Sequence, residues 1–463
     1  MKLRSALIAV TLLAGMSLPA RALTPPMSLS QEAVYLLRDY LKIDTTNPPG
    51  HEMATAKFLK AILDREGIEN QIFDLGDGRA NLMAVLHGDG SKRPLVLLHH
   101  MDVVPADPQY WSAPPFSGEL RNGVIYGRGA IDIKGKGIVD LMTLVRFKRD
   151  KTPLKRDVVF LAVADEEVSS IGSRWMIEHQ AEFLKKAEYL LDEGETIHES
   201  LAGVPLYTMV GIGEKSPLWL SLNFKGQPGH ASIPMADSAV NRALRAAQRI
   251  LDFSEKIPFN IVPGLEESLR RQYGEDVTRL PGYSRDMSTS LRNPQFLQAL
   301  AAKPVINALM RNTITITGMS GSDKINIIPN EASLKLDCRL IPGVSKETFL
   351  AELRQVIADP SVEIKVEEYY AAQYSPSDTS FFSALRNVLA KRQLKIPVIP
   401  TIFTSSTDSS LYRALGIHVY GFESTPLDEE ISLTAHGNDE RIKVSSVATG
   451  LEVLHDLILE LNK

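Results

Sequence analysis

Histidine and acidic residues recur at the ends of apolar runs in this sequence, and their types fit the binding of divalent cations. The run Leu95–His99 is followed by His100, Met101 and Asp102. Residues two apart on a strand share a side, so His100 can offer one ring nitrogen to a metal while Asp102 holds the other. A polar pair that merely closes a strand is the plain alternative. Next comes Gly127-Arg128-Gly129-Ala130-Ile131-Asp132-Ile133-Lys134-Gly135, a glycine-rich turn around one carboxylate that can set Asp132 between two cations. Its spacing matches neither the dinucleotide fingerprint nor the P-loop. Asp165-Glu166-Glu167 directly follows the apolar run Val158–Ala164. Adjacent acids at a buried edge repel one another unless cations neutralise them, although a solvated acidic turn has the same composition. Alternation sends Glu166 and Glu167 opposite ways, so that one can bind metal while its neighbour faces a water molecule. Asp192-Glu193-Gly194 ends a further apolar run, and His436 lies in Thr434-Ala435-His436-Gly437-Asn438-Asp439-Glu440.

Together these residues match the donor set of a hydrolytic zinc site, and a shared carboxylate suits a pair of ions about 3.5–4 Å apart. The lone cysteine, Cys338, excludes a cysteine-based zinc cluster and an intrachain disulfide. No Gly-x-Ser-x-Gly elbow is present, since Gly318-Met319-Ser320-Gly321 has the wrong spacing, and no His-Glu-x-x-His helix occurs.

The elements that must hold these groups alternate between strand and helix. Helical periodicity covers about 29–43 and 53–66, with strand-like runs at 82–86, 95–99 and 158–164. Alternation of this kind predicts an α/β fold built on a sheet. After Gly213 the texture changes to strands 218–224, 313–317 and 332–340 around a helix near 236–253, a separate α+β unit with expected limits 215–366. Within it, Ser254–Met310 is rich in charge and proline and reads as a helical or loop insertion. A helix at 381–394, strands at 398–403 and 418–422 and a final amphipathic helix at 444–461 complete the first sheet. The expectation is a catalytic domain formed by 23–214 and 367–463, with the smaller unit inserted.

Length and composition agree: 463 residues, 44% of them hydrophobic, exceed what one core usually holds. Lys2 and Arg4, the apolar run Ala6–Leu18 and then Ala20-Arg21-Ala22 have the order of a cleaved signal peptide over residues 1–22. The run is shorter than the stretch of about 20 residues that spans a bilayer. A soluble periplasmic or secreted protein is expected, with no membrane contact after cleavage. Losing Lys2, Arg4 and Arg21 lowers a formal charge that already stands at -5, which argues against a nucleic-acid partner.

In their order His-x-Asp, Gly-Arg-Gly-x-x-Asp-x-Lys-Gly, Asp-Glu-Glu, Asp-Glu-Gly and late His, these segments resemble a family of co-catalytic zinc exopeptidases and amidohydrolases. That family includes aminoacylase, acetylornithine deacetylase, succinyl-diaminopimelate desuccinylase, carnosinase and carboxypeptidase S. The resemblance runs from about residue 30 to the C-terminus and implies a mixed-sheet, zinc-exopeptidase-like catalytic domain with an inserted α+β lid and dimerisation domain. It implies two zinc ions per chain, with cobalt or manganese as substitutes. His100, Glu167, His436 and either Asp192 or Glu193 would bind them, Asp132 would bridge them, Glu166 would be the general base and Asp102 would orient His100. His230, in Gly229-His230-Ala231-Ser232, resembles a lid histidine that stabilises the oxyanion, often across a dimer. Asn326 and Arg339 resemble positions facing the substrate's polar groups and carboxylate. Ile133 and the loop Ser405-Ser406-Thr407-Asp408 depart from the usual pattern, and that loop is expected to line the pocket. The expected substrate is a small peptide or N-acyl amino acid with a free carboxylate, cut by a homodimeric, carboxypeptidase-like enzyme. An aminopeptidase or dipeptidase of the same chemistry, and a non-catalytic exported peptide binder, are the rival readings.

Overall fold

The computed structural model describes residues 27–463 apart from 262–263, 274–276 and 278, so the expected signal segment lies outside the described residues. Its centre is a ten-stranded mixed sheet. Leu95–His100 lies between Val158–Val163 and Tyr189–Glu195 and runs parallel to both, and Tyr189–Glu195 is parallel in turn to His418–Phe422. Every residue of Leu95–His100 and Val158–Val163 is buried. Strands covered on both faces need no polar alternation, which is why they read as unbroken apolar runs.

Residue parity divides these strands between two cores. Leu95, Leu97, Val158, Phe160 and Ala162 pack with Leu37, Ile138, Leu141 and Leu451 on one face. Val96, Leu98, Val159, Leu161 and Val163 pack with Met176, Leu184 and Tyr412 on the other. The same parity turns His99 into the interior, where its Nε2 lies 3.2 Å from the Tyr40 hydroxyl, and leaves His100 for the strand end. Four neighbouring parallel strands thus end along one edge, the place where open α/β sheets build their sites.

Two of the longer strands of the large sheet were not legible in the sequence. Glu69–Gly76 pairs antiparallel with Arg79–Leu86, and its largely polar residues, of which only Phe73 is buried, give no apolar run. Pro205–Glu214 pairs with Val398–Phe403 and leads into the smaller domain.

That domain is a four-stranded antiparallel sheet in the order Thr313–Ser320, Glu331–Leu340, Ser216–Lys225, Glu363–Tyr369. Leu218, Leu220, Leu222 and Phe224 face inward against Leu334, Leu336, Cys338 and the helices Ala239–Ser254 and Lys346–Ile357. This core is separate from the two that flank the large sheet. The segment read as an insertion folds into short helices, but Leu269, Phe296, Leu300, Ile306 and Met310 join the large core, and Ser268 hydrogen-bonds Thr401 at 2.8 Å. The expected limits 215–366 therefore enclose a helical cover for the strand Val398–Phe403 that does not pack into the lid. Among the described residues no helix is long and apolar enough to cross a membrane.

Candidate metal centre

The site is assembled where the parallel strands end. His100 closes its strand, the Asp165–Glu167 turn follows the neighbour on one side, and Glu193 lies on the neighbour at the other. Asp132 comes from the glycine turn just before the helix Lys134–Asp150, and His436 from the loop after Glu429–Ser432. One carboxylate links the two imidazoles: Asp132 Oδ1 is 3.0 Å from His100 Nε2, and Oδ2 is 2.9 Å from His436 Nε2. Each histidine has a second acid beside it, Glu193 at 3.7 Å from His100 and Glu167 at 3.2 Å from His436. Possible ligand atoms of His100, Asp132 and Glu167, and likewise of His100, Glu166 and Glu193, lie within 4.8 Å of one another.

Strand parity separates the two acids that the sequence left as alternatives. Glu193 turns to His100, whereas Asp192 is buried on the other side and accepts the Ser409 hydroxyl at 2.7 Å. Asp192 therefore lies outside the cluster. Asp102 also differs from the expectation. Its backbone carbonyl, at 3.0 Å, receives the His100 Nδ1 proton, while the nearer carboxylate oxygen stands 3.6 Å from that nitrogen. The carboxylate instead accepts the backbone amides of Glu166 and Glu167, both at 3.1 Å, and the Asn47 amide at 2.7 Å. Asp102 thus fixes the acidic turn as well as the histidine.

Asn47 also donates to Asp165 at 2.8 Å, and Arg79 pairs with Asp165 and with the Asn47 side-chain oxygen. Asp165 supports the turn through its carbonyl, which accepts from Ser169 and Ser170, with its φ at +69°. Sequence reasoning missed Asn47 and Arg79, and it named Asp165 without a role of its own. Asn47 sits in a Thr-Asn-Pro-Pro-Gly turn that gives no sign of a partner more than a hundred residues away.

The electrostatics fit cations. Burial disfavours a charged His100, yet Asp102, Asp132 and Glu193 hold its ring protonated well above the usual histidine range. Hydrogen bonds to Asp132 and Glu167 lift His436 to about 10. Burial opposes ionisation of Asp132, but hydrogen bonds from both histidines hold it well below the usual carboxylate range. Burial, then the Glu193 charge, pushes Glu166 far up, and burial does the same to Glu193. Bound protons here balance clustered acids that divalent cations would balance better, and ligation must displace those protons. The donor set is carboxylate and imidazole throughout, with one carboxylate placed to bridge, and it fits two divalent cations.

A cleft of about 440 Å³ opens beside Glu166 between the two domains, lined on the lid side by Pro217, Trp219, Arg339 and Tyr370 and on the other by Val168 and Thr404–Thr407. Arg339 thus faces the same space as Glu166. Its guanidinium also forms a two-pronged pair with Asp337, at 2.8 and 3.1 Å. The altered loop lines this cleft, as expected. Ile133 is buried. The structure does not bring His230 or Asn326 into the cluster. Both are exposed on the lid, where His230 Nδ1 accepts from Ser232 and the Asn326 carbonyl accepts from the Ala231 amide at 3.1 Å.

Residues 96–460 match the model of the peptidase family M20/M25/M40. The chain belongs to this family. As a member of the M20/M25/M40 peptidases it is a hydrolase, and the mixed-sheet α/β architecture is that of its relatives. It is 29% identical over 401 residues to the mouse N-fatty-acyl-amino acid synthase/hydrolase PM20D1, covering 82% of this chain and 76% of that one. It is 26% identical over 434 residues to aminoacylase-1 of Pongo abelii, covering 92% and 94%. Its fold matches the M20 family metallo-carboxypeptidase Sso-CP2 of Sulfolobus solfataricus with a TM-score of 0.63 at 21% identity, over 92% of this chain and 98% of the other. The family expected from the motifs is therefore the family found.

Proposed function

We propose that this M20 hydrolase uses two zinc ions to cleave the amide bond of an N-acyl amino acid or small peptide that carries a free carboxylate. The observation that carries this reading is Asp132, whose two oxygens face the Nε2 atoms of two different histidines. His100 with Glu193 and His436 with Glu167 would hold the two ions, with Asp132 shared between them. Cobalt or manganese would suit the same donors. When bound, the zinc pair supplies Lewis-acid polarisation and makes water more acidic. Glu166, against the cluster and open to the cleft, takes the proton of the attacking water and passes it to the leaving nitrogen. Arg339, across the cleft, faces the substrate carboxylate. The names of the aminoacylase and N-fatty-acyl-amino acid relatives support an N-acyl substrate, and that of the Sulfolobus enzyme supports carboxypeptidase polarity.

The chain is exported to the periplasm or beyond, with residues 1–22 removed, and it works as a homodimer through the lid. Leu244 and Leu251, half exposed on the helix Ala239–Ser254, support such a contact. A partner lid would then supply His230 to the oxyanion. Light scattering on the mature protein should give twice the chain mass; an active monomer would remove the dimer from this reading.

The deciding experiment is hydrolysis of a mixed set of dipeptides and N-acyl amino acids before chelation, after it, and with zinc restored. Cleavage should vanish and return, and only on substrates with a free carboxylate. Cleavage that instead requires a free amine would favour an aminopeptidase or dipeptidase. No cleavage despite two bound ions would leave a peptide-binding protein.

A further inference from the structure

A second buried carboxylate grips main chain on the opposite side of the site from Asp102. Glu440 is fully buried, and its side chain receives four hydrogen bonds from the glycine turn. Oε1 accepts the amides of Ile131 at 2.8 Å and Asp132 at 3.0 Å. Oε2 accepts the Gly129 amide at 3.0 Å and the Arg128 guanidinium at 2.7 Å. The Glu440 carbonyl also accepts the Gly127 amide at 2.9 Å. Three of these amides belong to a turn that no helix or strand otherwise satisfies, and buried N–H groups without acceptors are costly.

The geometry extends beyond the turn. Arg441–Lys443 pairs with Val124–Tyr126, so the Glu440–Gly127 bond continues a ladder from which both loops emerge. Asp132 leaves that junction on one strand's extension and His436 on the other's. Arg128, neutralising Glu440, also reaches the His436 carbonyl at 3.4 Å. The turn can come this close partly because Gly129 has φ +90°, and a Cβ there would meet Val103 at 2.9 Å.

We propose that Glu440 is a positioning residue that sets Asp132 and His436 at the separation two cations require. The assignment rests on the two-metal reading. It implies an asymmetry between the two positions. The position at His436 draws two of its ligands, His436 and the bridging Asp132, from the Glu440 junction, whereas the position at His100 draws only Asp132 from it and has His100 and Glu193 held by the large sheet.

Glu440→Gln keeps the shape but replaces one acceptor oxygen with a donor, so a turn amide then faces an N–H. Calorimetric titration of the metal-free protein with zinc should show two strong sites in the parent. In the variant the site at His436 should weaken by about 10–100-fold, the usual effect of losing a group that orients a ligand, while the site at His100, which shares only Asp132, weakens less. The turnover rate at saturating substrate should fall with little change in KM, because the cleft is untouched. Arg128→Met separates this role from that of a plain buried ion pair. It removes the charge partner and leaves the amide acceptors, so it should weaken zinc binding less than Glu440→Gln. Equal losses in the two variants, or two unchanged sites in Glu440→Gln, would overturn the assignment. Hydrogen exchange in the parent needs no variant to fold: the amides of Gly129, Ile131 and Asp132 should be protected with metal removed. Protection that appears only on adding zinc would mean that the metal, and not Glu440, forms the turn. A parent that binds fewer than two ions would instead sink the two-metal reading.

Discussion

The large sheet and the lid sheet place polar groups in opposite ways. At the edge of the large sheet the acids are buried, and each has defined partners: Asp102 holds the amides of Glu166 and Glu167, Glu440 those of the Asp132 turn, and Ser409 bonds Asp192. On the lid the polar residues lie on the open side of an amphipathic sheet, and His230 and Asn326 are exposed. The difference teaches that the two regions divide the work. Groups that need fixed distances sit where strand ends are packed from both faces, and the polar groups of the lid are left facing solvent.

The sharpest break of this comparison is Glu166→Gln. It should cut turnover by about 10²–10⁴-fold while both zinc ions remain bound, as read by steady-state kinetics beside metal analysis. Retention of most of the activity would remove Glu166 as the base. In the lid, Leu222→Ala should lower stability by about 2–5 kcal/mol in chemical denaturation, since Leu222 is fully buried in the smaller core. The zinc stoichiometry of that variant should stay at the parental value, and a lost ion would mean that the two regions are not separable. Asp102→Asn should weaken zinc binding by about 10–100-fold, because the carboxamide cannot accept both turn amides and the Asn47 donor at once. An unchanged titration would show that the turn is held by Asp165 alone. The smallest effect is expected for Arg339→Ala. About a tenfold rise in KM with turnover kept should appear for substrates bearing a carboxylate, a modest value because Asp337 already shares the guanidinium. A loss confined to turnover would place Arg339 in the chemistry instead.

Much of the site was legible because strand ends announce themselves. An apolar run that stops at His100, or at Asp165, marks both an element and the polar group it delivers, and buried parallel strands need no other pattern. The edge strand Glu69–Gly76 was not legible, since it is too polar to form an apolar run. The segment Ser254–Met310 was read as a helical or loop insertion, but its attachment was not legible, because Leu269 and Phe296 look the same in sequence whichever core they join.

The sequence by itself determined the family, the α/β class and the donor types, since each depends on local pattern or on motif order along the chain. Only the tertiary structure decided which of two adjacent acids faces His100, that the Asp102 carboxylate grips the acidic turn, and that Glu440 gathers the amides around Asp132. These depend on side-chain direction at strand ends and on hydrogen bonds between distant segments, such as the one between Gly129 and Glu440, 311 residues apart. No local spacing encodes such a partner; it exists only once the sheet has brought the loops together.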